Sequence, residues 1–401
     1  MKRRIALPLL RDRHNHPSLY AALRDAPSLA GLRAPEATAR IESLPRDRLS
    51  LVLGWRSDLL PHAAFDRGDL PPALVVNWSL HGFAATSSAT PHIARRWPEL
   101  AERAEDAAWL ELHLHSILAF CGRVSGLDGA KLSAFFRDLA DAGFGAAEDL
   151  AVISPEALRA IAASPLRDRI AIWAPLDLFR ALPPADRDAC AGAKLFLDGA
   201  LGARTAALDA PFRDAPAGPL LYDDDALEAA LAEVASLGAQ PAVHAIGHQA
   251  IEQIVSTLER LARNGVSFDA PRIEHAQFIT EGQARRARSL GCVLSMQPCF
   301  NSESRDYADR LDERHLGENN PLRMVIDRAG FEPGVDLLLG TDGMPADVAF
   351  ALAAGLFPPW PGQRLTIDEL AAGFGAAPDG GAAVYEIDDD ARTVRRLPDA
   401  G

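Results

Sequence analysis

Lysine is nearly absent. Lys2, Lys131 and Lys194 are the only three among 41 basic residues, so arginine supplies the rest. In an Ala- and Arg-rich chain this is the composition of a GC-rich genome, and it makes each remaining lysine informative. Cysteine is equally sparse. Cys121, Cys190, Cys292 and Cys299 fall at no CxxC spacing, and four in 401 residues exclude a disulfide framework. No basic block occurs, and 55 acidic against 41 basic side chains give a net charge of −14. That balance argues against nucleic acid or an anionic membrane surface as a partner. Long apolar runs are missing too, since nothing approaches the roughly 20 residues a membrane span needs. The start is basic, but its apolar stretch at 5–10 is short and broken by Pro8, unlike a signal peptide. A cytoplasmic location is the expectation. There is no repeat at a fixed period and no low-complexity segment beyond the Ala/Gly bias.

What is present is an ordinary globular composition, 48% hydrophobic and 24% charged, long enough for a large core. Short apolar runs at 5–12, 143–149, 169–174, 193–198, 241–246, 271–275, 292–297 and 335–341 read as strands. Helical patterns at 225–237, 249–264, 281–290 and 320–329 separate the later ones. Near-continuous apolar strands alternating with helices imply a parallel sheet covered on both faces. Eight of them fit a (β/α)₈ barrel of the TIM type, with a doubly wound sheet as the competing arrangement. Residues 1–355 would form the barrel, with an insertion at about 30–140 capping one mouth. The remaining 356–401 would be a Pro/Gly-rich tail with a helix near 367–374 and a vestigial β-hairpin.

Polar residues then stand out against the strands. His14 and His16 follow the first strand two apart, which puts both imidazoles on one side if the strand continues. The pair suits one metal, although 11 histidines in 401 residues give about 0.3 such pairs by chance. His113 and His115 repeat the spacing inside a helical pattern, where residues two apart diverge by about 200°, so a packing role is expected there. Lys194 lies in an apolar strand, where an ammonium is costly to bury unless paired, for example with Asp198. A Schiff-base amine and a CO₂-carboxylated lysine bridging two cations are the functional alternatives. His244, His275 and Asp342 each close a strand. One such histidine is usually structural. Five strands ending in potential ligands, all towards the C-terminal face of a barrel where active sites are built, are a stronger signal.

The ordered motifs RDRHNHP (11–17), KLFLDGALGARTAAL (194–208), VHAIGHQAI (243–251), RIEHAQF (272–278), SMQP (295–298), NPLRMVIDRAG (320–330) and LGTDGMPAD (339–347) resemble the amidohydrolase superfamily. They are most similar to amidohydrolase family 3, the group that includes N-substituted formamide deformylases. The resemblance covers about residues 10–350. It implies a metal-dependent hydrolase of C–N bonds in amide or formamide-type small molecules, using one or two divalent metals, most commonly zinc. His14 and His16 would bind one metal, His244 and His275 the other, and an N6-carboxylated Lys194 would bridge them. Asp342 would bind metal and act as general base, with His275 beside it in catalysis. Arg204, His81 and Gln297 would contact substrate.

Two departures qualify the resemblance. Members carry a small β-sandwich flanking the barrel, and with 13 residues ahead of His14 most of it is expected to be missing here. His248 stands where the family has Asp, which alters the support of His244 or adds a ligand. Against the hydrolase stand a metal-free lyase or aldolase using Lys194, and a non-catalytic descendant. A homodimer is left open.

Overall fold

The computed structural model describes residues 2–56, 59–77, 82–104, 106, 109–110, 113–378 and 380–398. It contains fourteen strands among the described residues: β1 (Lys2–Pro8), β2 (Leu10–Asn15), β3 (Ser50–Trp55), β4 (Ala73–Asn77), β5 (Phe83–Ala85), β6 (Phe144–Asp149), β7 (Ile170–Pro175), β8 (Gly192–Phe196), β9 (Gln240–Ala245), β10 (Arg272–His275), β11 (Val293–Met296), β12 (Leu337–Leu339), β13 (Ala382–Asp388) and β14 (Thr393–Arg396). The chain divides into two compact units, Met1–Pro17 with Ser133–Gly401, and Ser18–Leu132.

The first unit holds a (β/α)₈ barrel. Eight strands lie in the order β12-β11-β10-β9-β8-β7-β6-β2, and every ladder between neighbours is parallel. β6 is buried at all six positions and β8 at four of five, as strands covered on both faces must be. Helices Asp224–Ser236, His248–Arg263 and Glu281–Ser289 follow β8, β9 and β10, capped by Asp223, Gly247 and Thr280. The seam between β12 and β2 is bridged rather than laddered. Asp12 accepts from Thr341 N–H at 2.9 Å and from its hydroxyl, and Asp342 N–H donates to the His14 carbonyl at 2.7 Å. Gly340 permits this approach, since a Cβ there would stand 2.4 Å from the His14 nitrogen.

The strand expected at 5–12 is two strands. Leu9 donates to Gly381 and accepts from Ala377, whereas Leu10 donates to Gly143, so pairing changes partner at this point. β1 leaves the barrel and pairs antiparallel with β13, which pairs antiparallel with β14. The tail hairpin is therefore part of a three-stranded sheet completed by residues 2–8.

In the second unit β3 and β4 are parallel and β5 is antiparallel to β4. Its core is built on Leu29, Ile41, Val52, Trp55, Phe65 and Val75. His113 stacks on Trp109 at 4.0 Å and precedes the helix Leu114–Ser125, a packing role. Among the described residues no helix is long and apolar enough to cross a membrane.

Candidate metal centre

β2, β8, β9, β10 and the segments after β11 and β12 bring the polar residues together. Coordinating atoms of His14, His275 and Asp342 all lie within 4.8 Å of one another. His16 Nε2 is 3.1 Å from Asp342 Oδ1, and His14 Nε2 is 3.6 Å from the same oxygen. The His244 and His275 ring centroids are 4.6 Å apart, and His14 is 4.5 Å from His275. Lys194 Nζ is buried, makes no hydrogen bond, and sits 5.1 Å from the Phe196 ring centroid.

The imidazoles are oriented from behind. His14 Nδ1 is 2.6 Å from Glu274 Oε2, so the proton resides on Nδ1 and the Nε2 lone pair faces the cluster. His275 Nδ1 is 2.8 Å from Gln297 Oε1, whose amide nitrogen donates to the Ser295 carbonyl at 3.2 Å. That fixes the amide orientation and leaves His275 Nε2 as acceptor. His244 Nε2 faces the Gly199 carbonyl at 3.1 Å and Asp198 at 3.5 Å. Carboxylate or carbonyl partners behind metal-binding histidines are the usual supporting arrangement.

Electrostatics keep these groups ready to bind. Burial, reinforced by the neighbouring His14, pushes His275 down to about 3. Burial likewise lowers His14, against the pull of Asp342 and Glu274, and lowers His244 well below the ordinary histidine value. Burial brings Lys194 down to about 8, with Glu274 and Asp342 acting in the opposite direction. Asp342 is raised by burial but held far below the usual carboxylate range by His14 and His16. Neutral imidazoles, an ionised carboxylate and an amine without a partner form the donor set a divalent cation requires, so the residues fit one.

Backbone strain concentrates here. His275 (φ +70°), Ala276 (φ +46°) and Asp342 (φ +58°) are non-glycine residues in the left-handed region. Each such residue costs on the order of 1–3 kcal/mol, and strain of this kind gathers at functional sites.

The three residues expected to contact substrate fare differently. Gln297 is fully buried with its amide spent on His275 and Ser295, which makes it a support for His275. The Arg204 guanidinium is engaged by Asp214, Nε to Oδ1 at 2.8 Å and Nη2 to Oδ2 at 2.6 Å. His81 lies outside the described residues. Lys194 does not pair with Asp198, which instead accepts N–H bonds from Ala207, Ile246 and Gly247.

Glu274, Arg272 and Glu148 escaped the sequence reading. Arg272 Nε lies 2.8 Å from Glu274 Oε1, and its Nη1 donates to Glu148. The available signal was two charges at period two in the short strand RIEH, which places both side chains on one face.

Replacing Gln297 by Leu removes the acceptor behind His275. A 10- to 100-fold loss of metal affinity is expected, roughly the effect of losing such a partner, with the thermal midpoint little changed. Competition against a chromophoric chelator measures it, and unaltered affinity would mean His275 needs no such support.

Comparison with known proteins agrees with this geometry. A model described as "Amidohydrolase family" matches residues 130–356, more than half of the chain. YtcJ of Bacillus subtilis (strain 168), which carries an amidohydrolase name, is 36% identical over 159 residues, covering 37% of this chain and 30% of that protein. Protein LONG AFTER FAR-RED 3 of Arabidopsis thaliana is 31% identical over 160 residues, covering 39% of this chain and 27% of its own. The match thus spans less than a third of either relative. A metal-dependent hydrolase from Pyrococcus furiosus superposes with a TM-score of 0.68 at 20% identity, covering 94% of this chain and 87% of its own. One from Pyrococcus horikoshii OT3 gives 0.66 at 21%, covering 88% and 74%. These two share the fold, and the family match over 130–356 shows that this chain belongs to the amidohydrolase family.

Proposed function

We propose that the protein is a metal-dependent hydrolase that cleaves C–N bonds of small amide or formamide-type substrates with water as nucleophile. The observation that carries this reading is the convergence of His14, His275 and Asp342 within coordinating distance of one another, adjoined by His16 and His244. Zinc suits the imidazole and carboxylate donors, as one ion or two. A divalent cation held there would supply a pKa of bound water lowered towards about 7 and polarisation of the scissile carbonyl. Asp342 accepts the proton of the attacking water and returns it to the departing amine. His14 and His275 hold the cation with orientations fixed by Glu274 and Gln297. Lys194, with its amine unprotonated, would add CO₂ through a new N–C bond with release of a proton, and the carbamate would join the residues that hold the cation.

The test uses the whole chain and a panel of N-formyl and N-acyl amines. Chelator-stripped protein should be inactive and regain activity with zinc, and Lys194→Ala should lose activity that short carboxylates partly restore. Hydrolysis by metal-free protein would overturn the reading. One observation favours a second reading: a buried amine brought to about 8 is also what a Schiff-base lyase needs. Borohydride trapping of a substrate on Lys194 would select that alternative.

A further inference from the structure

A second group of metal-binding side chains lies apart from the centre described above. Asp209, His248 and His315 come from the segments that follow β8, β9 and β11, and share no residue with that centre. Their coordinating atoms also lie within 4.8 Å of one another. Asp209 Oδ1 is 3.0 Å from His315 Nε2 and 3.6 Å from His248 Nδ1. These separations are close to the roughly 3.4 Å between neighbouring ligands of a tetrahedral ion bound at about 2.1 Å.

Proximity alone is weak evidence, but the outer faces of the two rings add to it. His248 turns Nε2 towards Glu318 at 3.4 Å, and His315 turns Nδ1 towards Asp312 at 3.2 Å. Each imidazole thus has a carboxylate near its outer nitrogen, without a hydrogen bond between them, and directs its other nitrogen at Asp209. Both side chains are more than nine-tenths buried, and His248 Nδ1, aimed at Asp209, makes no hydrogen bond. Burial also lowers His248, which keeps its ring neutral and able to donate a lone pair.

A cation already stands in this position. Arg314 Nη2 lies 2.6 Å from Asp209 Oδ1 and 2.9 Å from His315 Nε2, so the guanidinium occupies the space between two of the three donors. His315 Nε2 is within hydrogen-bond distance of both, accepting from Arg314 in one tautomer and donating to Asp209 in the other. The Arg314 side chain is 44% exposed and can swing into solvent when a metal takes its place. A surface cavity of about 490 Å³, lined by Asp209, His248, Glu252 and Gln283 among others, borders the group and admits water to complete the coordination.

We propose that Asp209, His248 and His315 form a separate site for a divalent transition ion of the zinc class, entered by displacement of Arg314. The ion ties together three βα segments far apart in sequence and fixes their positions at the barrel mouth.

Elemental analysis of zinc-saturated, desalted full-length protein tests it. Wild type should retain one more zinc per chain than His315→Gln or His248→Asn, neither of which touches the catalytic cluster. Equal stoichiometry in wild type and both variants would overturn the proposal. Arg314→Gln removes the competing cation and should bind zinc at this site at least 10-fold more tightly by chelator competition. That measurement decides the matter if the histidine variants fail to fold, since unchanged affinity would mean no ion enters there.

Discussion

Asp342→Asn should leave a folded, metal-loaded protein with turnover reduced by about 10²- to 10⁴-fold, the usual contribution of a positioned acid–base group. The substitution is mild for the backbone. Asp342 has φ +58°, and asparagine tolerates the left-handed region better than almost any residue except glycine. Its N–H keeps the bond to the His14 carbonyl that bridges the barrel seam. The carboxylate is what disappears, and with it the oxygen 3.1 Å from His16 Nε2 that the proposed mechanism uses to take a proton from water. Because the same oxygen is a candidate ligand, metal content and turnover must be measured on one preparation. Full metal with lost turnover identifies the base; turnover near wild type moves that role elsewhere. Glu303 would then be the next group to test, since burial pushes it up to about 7 and the charge of Asp342 acts on it in the same direction.

The barrel was legible because its strands are self-contained signals. Runs such as AIWA and LFL are apolar at every position, and β6 to β12 fall within one or two residues of the expected bounds, β12 being shorter. The division between β1 and β2 was not legible. IALPLLRD reads as one apolar stretch, and what splits it is a hydrogen bond from Leu9 to Gly381, more than 370 residues away. Local pattern carries no record of such a partner. The same tail contact turns an expected hairpin into a three-stranded sheet.

At the centre, the candidate ligands were visible because His244 and Asp342 close apolar runs, Lys194 interrupts one, and His14 with His16 and His275 stand at the ends of strands. The groups that aim them were hidden, since their work depends on neighbours across the barrel. Glu274 pairs along the sheet with His244 and Ser295, yet its carboxylate reaches His14 on β2. Gln297 and Arg204 have partners that their motifs did not signal: one holds His275 and the other is engaged with Asp214.

The second large effect is one of stability and follows from those hidden charges. Arg272→Met should destabilise the fold by about 3–5 kcal/mol, the cost of breaking a buried pair by removing one partner. Arg272 is 6% exposed and serves two carboxylates, Glu148 and Glu274, besides donating to the Arg13 carbonyl at 3.0 Å. Its guanidinium also lies 5.0 Å from the Trp173 ring centroid, a contact methionine only partly replaces. Burial would raise Glu274, and Arg272 followed by His14 holds it well below the usual carboxylate range. Without the arginine, two buried carboxylates lose their main counter-charge, and Arg13 at 3.3 Å from Glu148 cannot reach both. In a chain this long the loss corresponds to a thermal midpoint lower by on the order of 4–6 °C. The double substitution Arg272→Met/Glu274→Gln removes the stranded charge nearest His14 and should recover part of that loss. Calorimetry on the single and double variants checks both statements. A single variant as stable as wild type would show that Arg272 offsets no more than its own desolvation.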